Sequence, residues 1–273
     1  RAPATIERPA CRERWPHGSC RSRYRTRAAR ASARAYSRAR EKGDGPTHNG
    51  DVAGSAIRYA AACKGTGQLS AFAGRDVWVF DLDNTLYPAD HEVFGAIGDR
   101  MTAFISRTVG VERDAALALR ETYFNDYGAT VVGLVKHHGV DAAAFLHEVH
   151  DVSLDAVEPD PELGGLIARL SGRRIVFTNG GRDYAHRILA RLDIDRVFDS
   201  VFALEDTGLA PKPERAAFER LIKSCNFDPA RAVMFEDHLR NLEPAAELGF
   251  ATVLVGAATP PAPYVHHAAP RLH

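Results

Sequence analysis

The chain has 273 residues, enough for one large domain or two small ones, and its 35 basic and 35 acidic groups cancel. The cancellation hides two unlike segments: residues 1–75 hold 16 of the basic and 5 of the acidic groups, a net of +11, which leaves the remainder at −11. No apolar run reaches the about 18 residues that a membrane span requires, and residues 76–273 contain a single cysteine, Cys225, so no disulfide can close within them; a reducing compartment and a cytoplasmic location are the expectation.

Residues 1–75 are rich in Arg, Ala, Ser and Gly, with twelve Arg and no Lys in the first 40. Such a segment has too little apolar surface to offset the entropy of ordering, and a disordered basic extension is expected. Its composition also suits a transit peptide, a basic arm for non-specific nucleic-acid binding, or translation of a GC-rich stretch ahead of the true start. For the acidic remainder no nucleic-acid partner is expected.

Val77–Asp81 is apolar, β-branched or aromatic and free of Gly and Pro, the pattern of a buried strand. It runs into Asp81-Leu82-Asp83-Asn84-Thr85, where turn formers end it. A bare pair of carboxylates two residues apart is most often a solvated turn. This pair follows a buried strand, the place where α/β sheets carry their chemistry.

About 70 residues of helical pattern follow Pro88. His91–Arg107 carries Val93, Phe94, Ile97, Met101, Phe104 and Ile105 at helical spacing, and shorter amphipathic stretches over Glu112–Asp126, Thr130–His138 and Asp141–His150 are separated by Gly110, Gly128 and Gly139. His147 and His150 are spaced i, i+3 rather than the i, i+4 of a zinc-binding helix, so solvated or capping histidines are expected.

After Pro159-Asp160-Pro161 and a helix to about Leu170, strands and helices alternate, as parallel strands require. Arg174–Phe177 runs into Thr178-Asn179-Gly180-Gly181, a hydroxyl plus backbone N–H groups that suit a phosphate. A third strand over Phe198–Leu204 precedes Pro211-Lys212-Pro213, a fourth over Ala232–Phe235 ends in Glu236-Asp237, and a fifth spans Ala251–Val255. From Gly256 the chain is proline-rich and reads as an extended segment.

FDLDNTLYP, the Thr178 strand end, Lys212 and FEDHLRNLEPAAELGF occur in the order of the four motifs of the haloacid-dehalogenase-like (HAD) hydrolases, which this chain resembles from about Asp76 to Val265. The resemblance implies a doubly wound, mostly parallel α/β sheet with a helical cap inserted after the first strand. Its implied limits are core at 76–88 and 159–265, cap at 89–158, and a tail at 266–273. It implies Asp81 as the nucleophile that carries an aspartyl phosphate and Asp83 as the acid/base. Thr178, Asn179 and Lys212 would bind the phosphate. Mg2+ would be held by Asp81, the Asp83 main-chain carbonyl, Asp237 and, directly or through water, Glu236. Asn241 would steady Lys212 or its loop.

Within the family, DLDNTLYP, YGATVVGL, KHHGVD, the PDP turn and FTNGGRDYAHRIL are most similar to the pyrimidine 5′-nucleotidase branch. The substrate this implies is a small phosphomonoester, a nucleoside 5′-monophosphate such as UMP or CMP, with Tyr127 and Thr130 as cap contacts. A phosphatase or phosphomutase for another small phosphate ester shares every motif. A receiver-like phospho-aspartate domain is disfavoured, because it lacks the helical interruption and carries its acidic pair ahead of the phosphorylated Asp.

Overall fold

A computed structural model describes residues 72–88 and 91–272. The expected disordered extension therefore lies outside the described residues except for its last four. Two of those four are tied to the rest: Phe72 is buried with the core, and Arg75 donates to the Ala232 carbonyl at 2.6 Å, while Ala73 and Gly74 are exposed.

The elements run β1 (Val77–Phe80), α1 (His91–Ile105), a single π turn (Ser106–Gly110), α2 (Arg113–Tyr127), α3 (Thr130–His138), α4 (Ala142–Val149) and α5 (Pro161–Ala168). They continue with β2 (Arg173–Phe177), α6 (Arg182–Arg191), β3 (Ser200–Phe202), α7 (Arg215–Cys225), β4 (Ala232–Glu236), α8 (Leu239–Glu247), β5 (Ala251–Val255) and β6 (His267–Ala269). The six strands form one sheet in the order β3-β2-β1-β4-β5-β6, every pairing parallel. β1 is central, and the winding direction reverses there: β2 and β3 lie to one side, β4 to β6 to the other.

One correction concerns the end of the chain. The expected tail at 266–273 contains β6, paired with β5 from Val253↔His267 to Val255↔Ala269, so the core extends past 265. Three residues of mixed character carry no strand signal by themselves. What makes them a strand is the open edge of β5, whose backbone groups need partners.

The strands read as unbroken apolar runs because both faces of the sheet are covered. Alternation still sorts their side chains: Trp78, Phe80, Val176, Val233, Phe235 and Val253 join one cluster with α5 and α6. Val79, Ile175, Phe177, Met234 and Leu254 join the other with α7 and α8. Phe80 and Phe235 stack at 4.5 Å across β1 and β4.

The helical segment between β1 and α5 packs around a third cluster, with Phe104, Ile105, Tyr123, Leu134, Phe145 and Val149 at its centre. Its helices end where the glycines predict: Gly128 and Gly139 cap α2 and α3 in left-handed conformation. Asp160 caps α5 by accepting from the Leu163 N–H at 2.9 Å, with Pro161 in the first turn. Among the described residues no helix is long and apolar enough to cross a membrane.

Gly172 leads into β2 at φ +95°, and a Cβ there would stand 2.0 Å from the Asp76 carbonyl oxygen. That carbonyl accepts the Arg173 N–H at 2.8 Å, so β1 and β2 start in backbone contact. Gly172→Ala should therefore destabilise the fold by about 2 kcal/mol, read as a lower urea midpoint at unchanged m-value.

Candidate active site

Parallel winding brings the carboxyl ends of β1, β2 and β4 side by side, at the point where the strand order reverses. Asp81 follows β1, Thr178 follows β2, Glu236 ends β4 and Asp237 follows it. Asn84 turns the chain away after the first pair at φ 59°, a left-handed conformation that Asn tolerates better than most residues.

Lys212 fills the centre. It is 1% exposed, and its ammonium donates to Asp81 Oδ1 at 2.6 Å, Glu236 Oε2 at 2.8 Å and the Phe177 carbonyl at 2.9 Å. Three protons meet three acceptors, which is what burial of an ammonium demands. The backbone of Lys212 is clamped by one side chain: Asn179 Nδ2 donates to its carbonyl at 3.0 Å, and Asn179 Oδ1 accepts its N–H at 2.8 Å. Asn241 does not do this work. It is buried on α8, and its Oδ1 has no hydrogen-bond partner among the described residues; the side chain that holds the Lys212 backbone is that of Asn179.

Carboxylate oxygens of Asp81, Glu236 and Asp237 lie within 4.8 Å of one another. Burial, then the Glu236 charge, raises Asp81 to about 7 despite the pull of Lys212. Burial, then Glu236 and Asp81, raises Asp237 to about 9. Burial alone would lower Lys212, but Asp81 and Glu236 more than offset it and hold the ammonium above its ordinary value. Three carboxylates thus share one buried ammonium, a donor set of hard oxygens with excess negative charge that fits a divalent cation. Asp81 and Glu236 each accept from Lys212 and from one further donor, Asp81 through Oδ2 from the Thr85 hydroxyl at 3.4 Å and Glu236 through Oε1 from the His238 N–H at 3.1 Å.

The Asp83 side chain stands apart from this cluster. Its Oδ1 accepts from the Tyr87 hydroxyl at 2.6 Å and the Tyr184 hydroxyl at 3.1 Å. Burial outweighs those two donors and raises the Asp83 carboxyl. Thr178 Oγ1 accepts the Gly180 N–H at 2.9 Å, which leaves its own proton for a ligand.

A cavity of about 480 Å3 opens over these groups. Asp81, Asp83, Thr178, Asn179, Lys212, Glu236 and Asp237 form its floor, and the helical segment supplies Phe94, Ile97, Met101, Arg120 and Phe124. Thr130 lines it, its hydroxyl bonded to the Arg120 carbonyl at 3.1 Å. Tyr127 does not: its hydroxyl pairs with His137 Nε2 at 2.6 Å and its ring receives Lys136, because α2 turns that position away from the cavity.

Sequence reasoning passed over Tyr87 and Tyr184 and gave His150 only a solvated or capping role. Tyr87 was within reach, four residues after Asp83 in the same motif. Tyr184 and His150 had no such signal, since only packing brings α4 against α6. His150 is buried, caps α4, donates from Nδ1 to the Leu146 carbonyl at 2.9 Å and stacks on Tyr184 at 4.5 Å, with burial lowering its pKa to about 4. The expectation of a capping histidine describes it; the stack on Tyr184 does not follow from spacing.

Fold and site together define a doubly wound α/β protein with a carboxylate-and-lysine centre at its switch point. The chain belongs to the haloacid dehalogenase-like hydrolases, whose sequence model matches residues 76–249. It is 28% identical over 197 residues to phosphate metabolism protein 8 of Saccharomyces cerevisiae, covering 66% of this chain and 61% of that protein. The chain thus spans about three fifths of the length of that curated relative. It resembles in fold the crystal structure of a HAD phosphatase from Thermococcus onnurineus, with a TM-score of 0.51 at 18% identity, over 72% of this chain and 94% of that one.

Removing one of the crowded carboxylates should relieve repulsion when no cation is present. In chelator at neutral pH, Asp237→Asn should be more stable than the unsubstituted chain by about 1 kcal/mol or more, and adding a divalent cation should stabilise only the unsubstituted chain. Thermal melts with and without the cation check both halves.

Proposed function

We propose that this hydrolase is a Mg2+-dependent phosphomonoesterase that works through an aspartyl phosphate on Asp81, with pyrimidine nucleoside 5′-monophosphates as substrates and residues 89–158 as its cap. The observation that carries the reading is the unequal treatment of the two carboxylates. Asp81 is gripped by Lys212, whereas Asp83 is turned aside and held by two phenols. A nucleophile needs fixed aim, and an acid/base needs a second, independent position beside the leaving group.

Asp81 and Asp237, with Glu236 beside them, would hold Mg2+, which would supply charge neutralisation for the phosphate. Lys212 supplies positive charge beside the phosphate, and Thr178 and the Asn179 N–H orient the phosphoryl oxygens. A carboxylate oxygen of Asp81 attacks phosphorus in line as the ester P–O bond breaks, and Asp83 gives its proton to the departing oxygen. Asp83, now ionised, takes a proton from water as that water attacks the aspartyl phosphate, which releases phosphate and restores Asp81. Positioning and charge account for most of the acceleration. A halide needs no proton to leave, so the care taken over Asp83 favours an ester over a carbon–halogen bond.

The pyrimidine reading rests on the motifs that flank the site, on a cavity of about 480 Å3 and on the aromatic rings Phe94 and Phe124 in its wall. The name of the yeast relative is consistent with phosphate-ester chemistry.

Two results are expected. Phosphate release with Mg2+ across UMP, CMP, AMP, GMP, sugar phosphates and phosphoglycolate should favour UMP and CMP and vanish in EDTA. A preference for sugar phosphates would remove the pyrimidine assignment and keep the mechanism. Asp81→Asn should lower turnover by at least about 1,000-fold while the far-UV spectrum is unchanged, and retained turnover would remove the covalent step.

A further inference from the structure

Tyr87 and Tyr184 are a second pair at the site that the mechanism above leaves without a task. Both are buried, 4% and 2% exposed, and their hydroxyls lie 2.7 Å apart. Tyr87 donates to Asp83 Oδ1 at 2.6 Å, so its single proton is committed there. The Tyr184 proton is then shared between the Tyr87 oxygen at 2.7 Å and Asp83 Oδ1 at 3.1 Å. Oδ1 is saturated by donors. Oδ2 faces the other way, 3.8 Å from where a Cβ on Gly180 would stand, toward the turn that begins at Thr178.

We propose that Tyr87 and Tyr184 are positioning residues that hold Asp83 by Oδ1 and thereby present Oδ2 as the atom that carries the proton to the leaving oxygen. The assignment rests on the phosphomonoesterase reading. Burial and the Asp83 charge raise both phenols above their ordinary range, so they stay protonated and remain donors. The arrangement also ties the helical segment to the chemistry. The His150 ring, at the end of α4, lies against Tyr184 at 4.5 Å with 16° between the planes, and keeps the phenol from swinging away from Asp83. Each acts through Asp83, although Tyr184 also lines the cavity.

A device of this kind affects only esters whose leaving group needs a proton. The test compares kcat/KM, which reports formation of the aspartyl phosphate, on p-nitrophenyl phosphate, phenyl phosphate and UMP, using the full chain with Mg2+. Tyr87→Phe and Tyr184→Phe each leave one donor on Oδ1, and each should cost about tenfold on phenyl phosphate and UMP. The double variant should cost about 100-fold on those two esters and less than about threefold on p-nitrophenyl phosphate, whose anion departs unaided, with KM unchanged throughout. Retained p-nitrophenyl phosphate turnover certifies that the variants fold. Equal losses on all three esters, or no loss on any, would overturn the assignment. An unsubstituted chain inert toward all three would overturn the phosphomonoesterase reading as well, and that failure shows before any variant is made.

Discussion

The buried Lys212 ammonium is the interaction on which the rest of the site depends. Its three protons meet Asp81, Glu236 and the Phe177 carbonyl, so one charge links the ends of three adjacent strands. Taking such a charge out of water costs several kcal/mol, which the structure offsets by meeting every proton and by placing more than one carboxylate beside it. The arrangement overshoots: with Asp237 added, negative charge exceeds positive, and burial and mutual repulsion raise Asp81 and Asp237. A fold that leaves such an imbalance in a cavity can hold a cation there, at a cost to its own stability.

The sheet makes this possible by geometry alone. All six strands run parallel, so their carboxyl ends share one edge, and the reversal of winding at β1 opens a crevice there. Two apolar clusters hold the faces of the sheet, one under α5 and α6, the other under α7 and α8. The third cluster gives the helical segment a core of its own. That segment still leaves Phe94 and Phe124 more than two fifths exposed, both in the cavity wall. Apolar rings kept from a neighbouring core are usable for binding.

Two carboxylates in one turn are given opposite surroundings by different neighbours. Asp81 has an ammonium; Asp83 has two phenols, one of them braced by a histidine of the helical segment. The contrast extends to the loop that bears Lys212. Asn179, expected to bind phosphate through its N–H, uses its side chain to fix the Lys212 backbone from both sides. The turn after β2 and the lysine loop are therefore held as one unit.

Much of this was legible from the chain. Buried parallel strands need long apolar runs, and their crossovers need helices, so the alternation after residue 160 announced the sheet; strand ends marked Asp81, Thr178 and Asp237, and the order of the family motifs singled out Lys212. Local pattern carries that information because strand burial and turn chemistry are properties of short segments. Three outcomes were decided elsewhere. β6 exists because the open edge of β5 needs a partner, Tyr127 points away because of the rotation of α2, and Tyr184 meets Asp83 and His150 only when α6 packs between the sheet and α4. Each depends on residues far apart in sequence and on the angle at which packed helices settle, which no periodicity encodes. The sequence by itself determined which chemical groups stand at the strand ends; the tertiary structure decided which of them touch, and so which carboxylate is gripped by an ammonium and which is held by phenols.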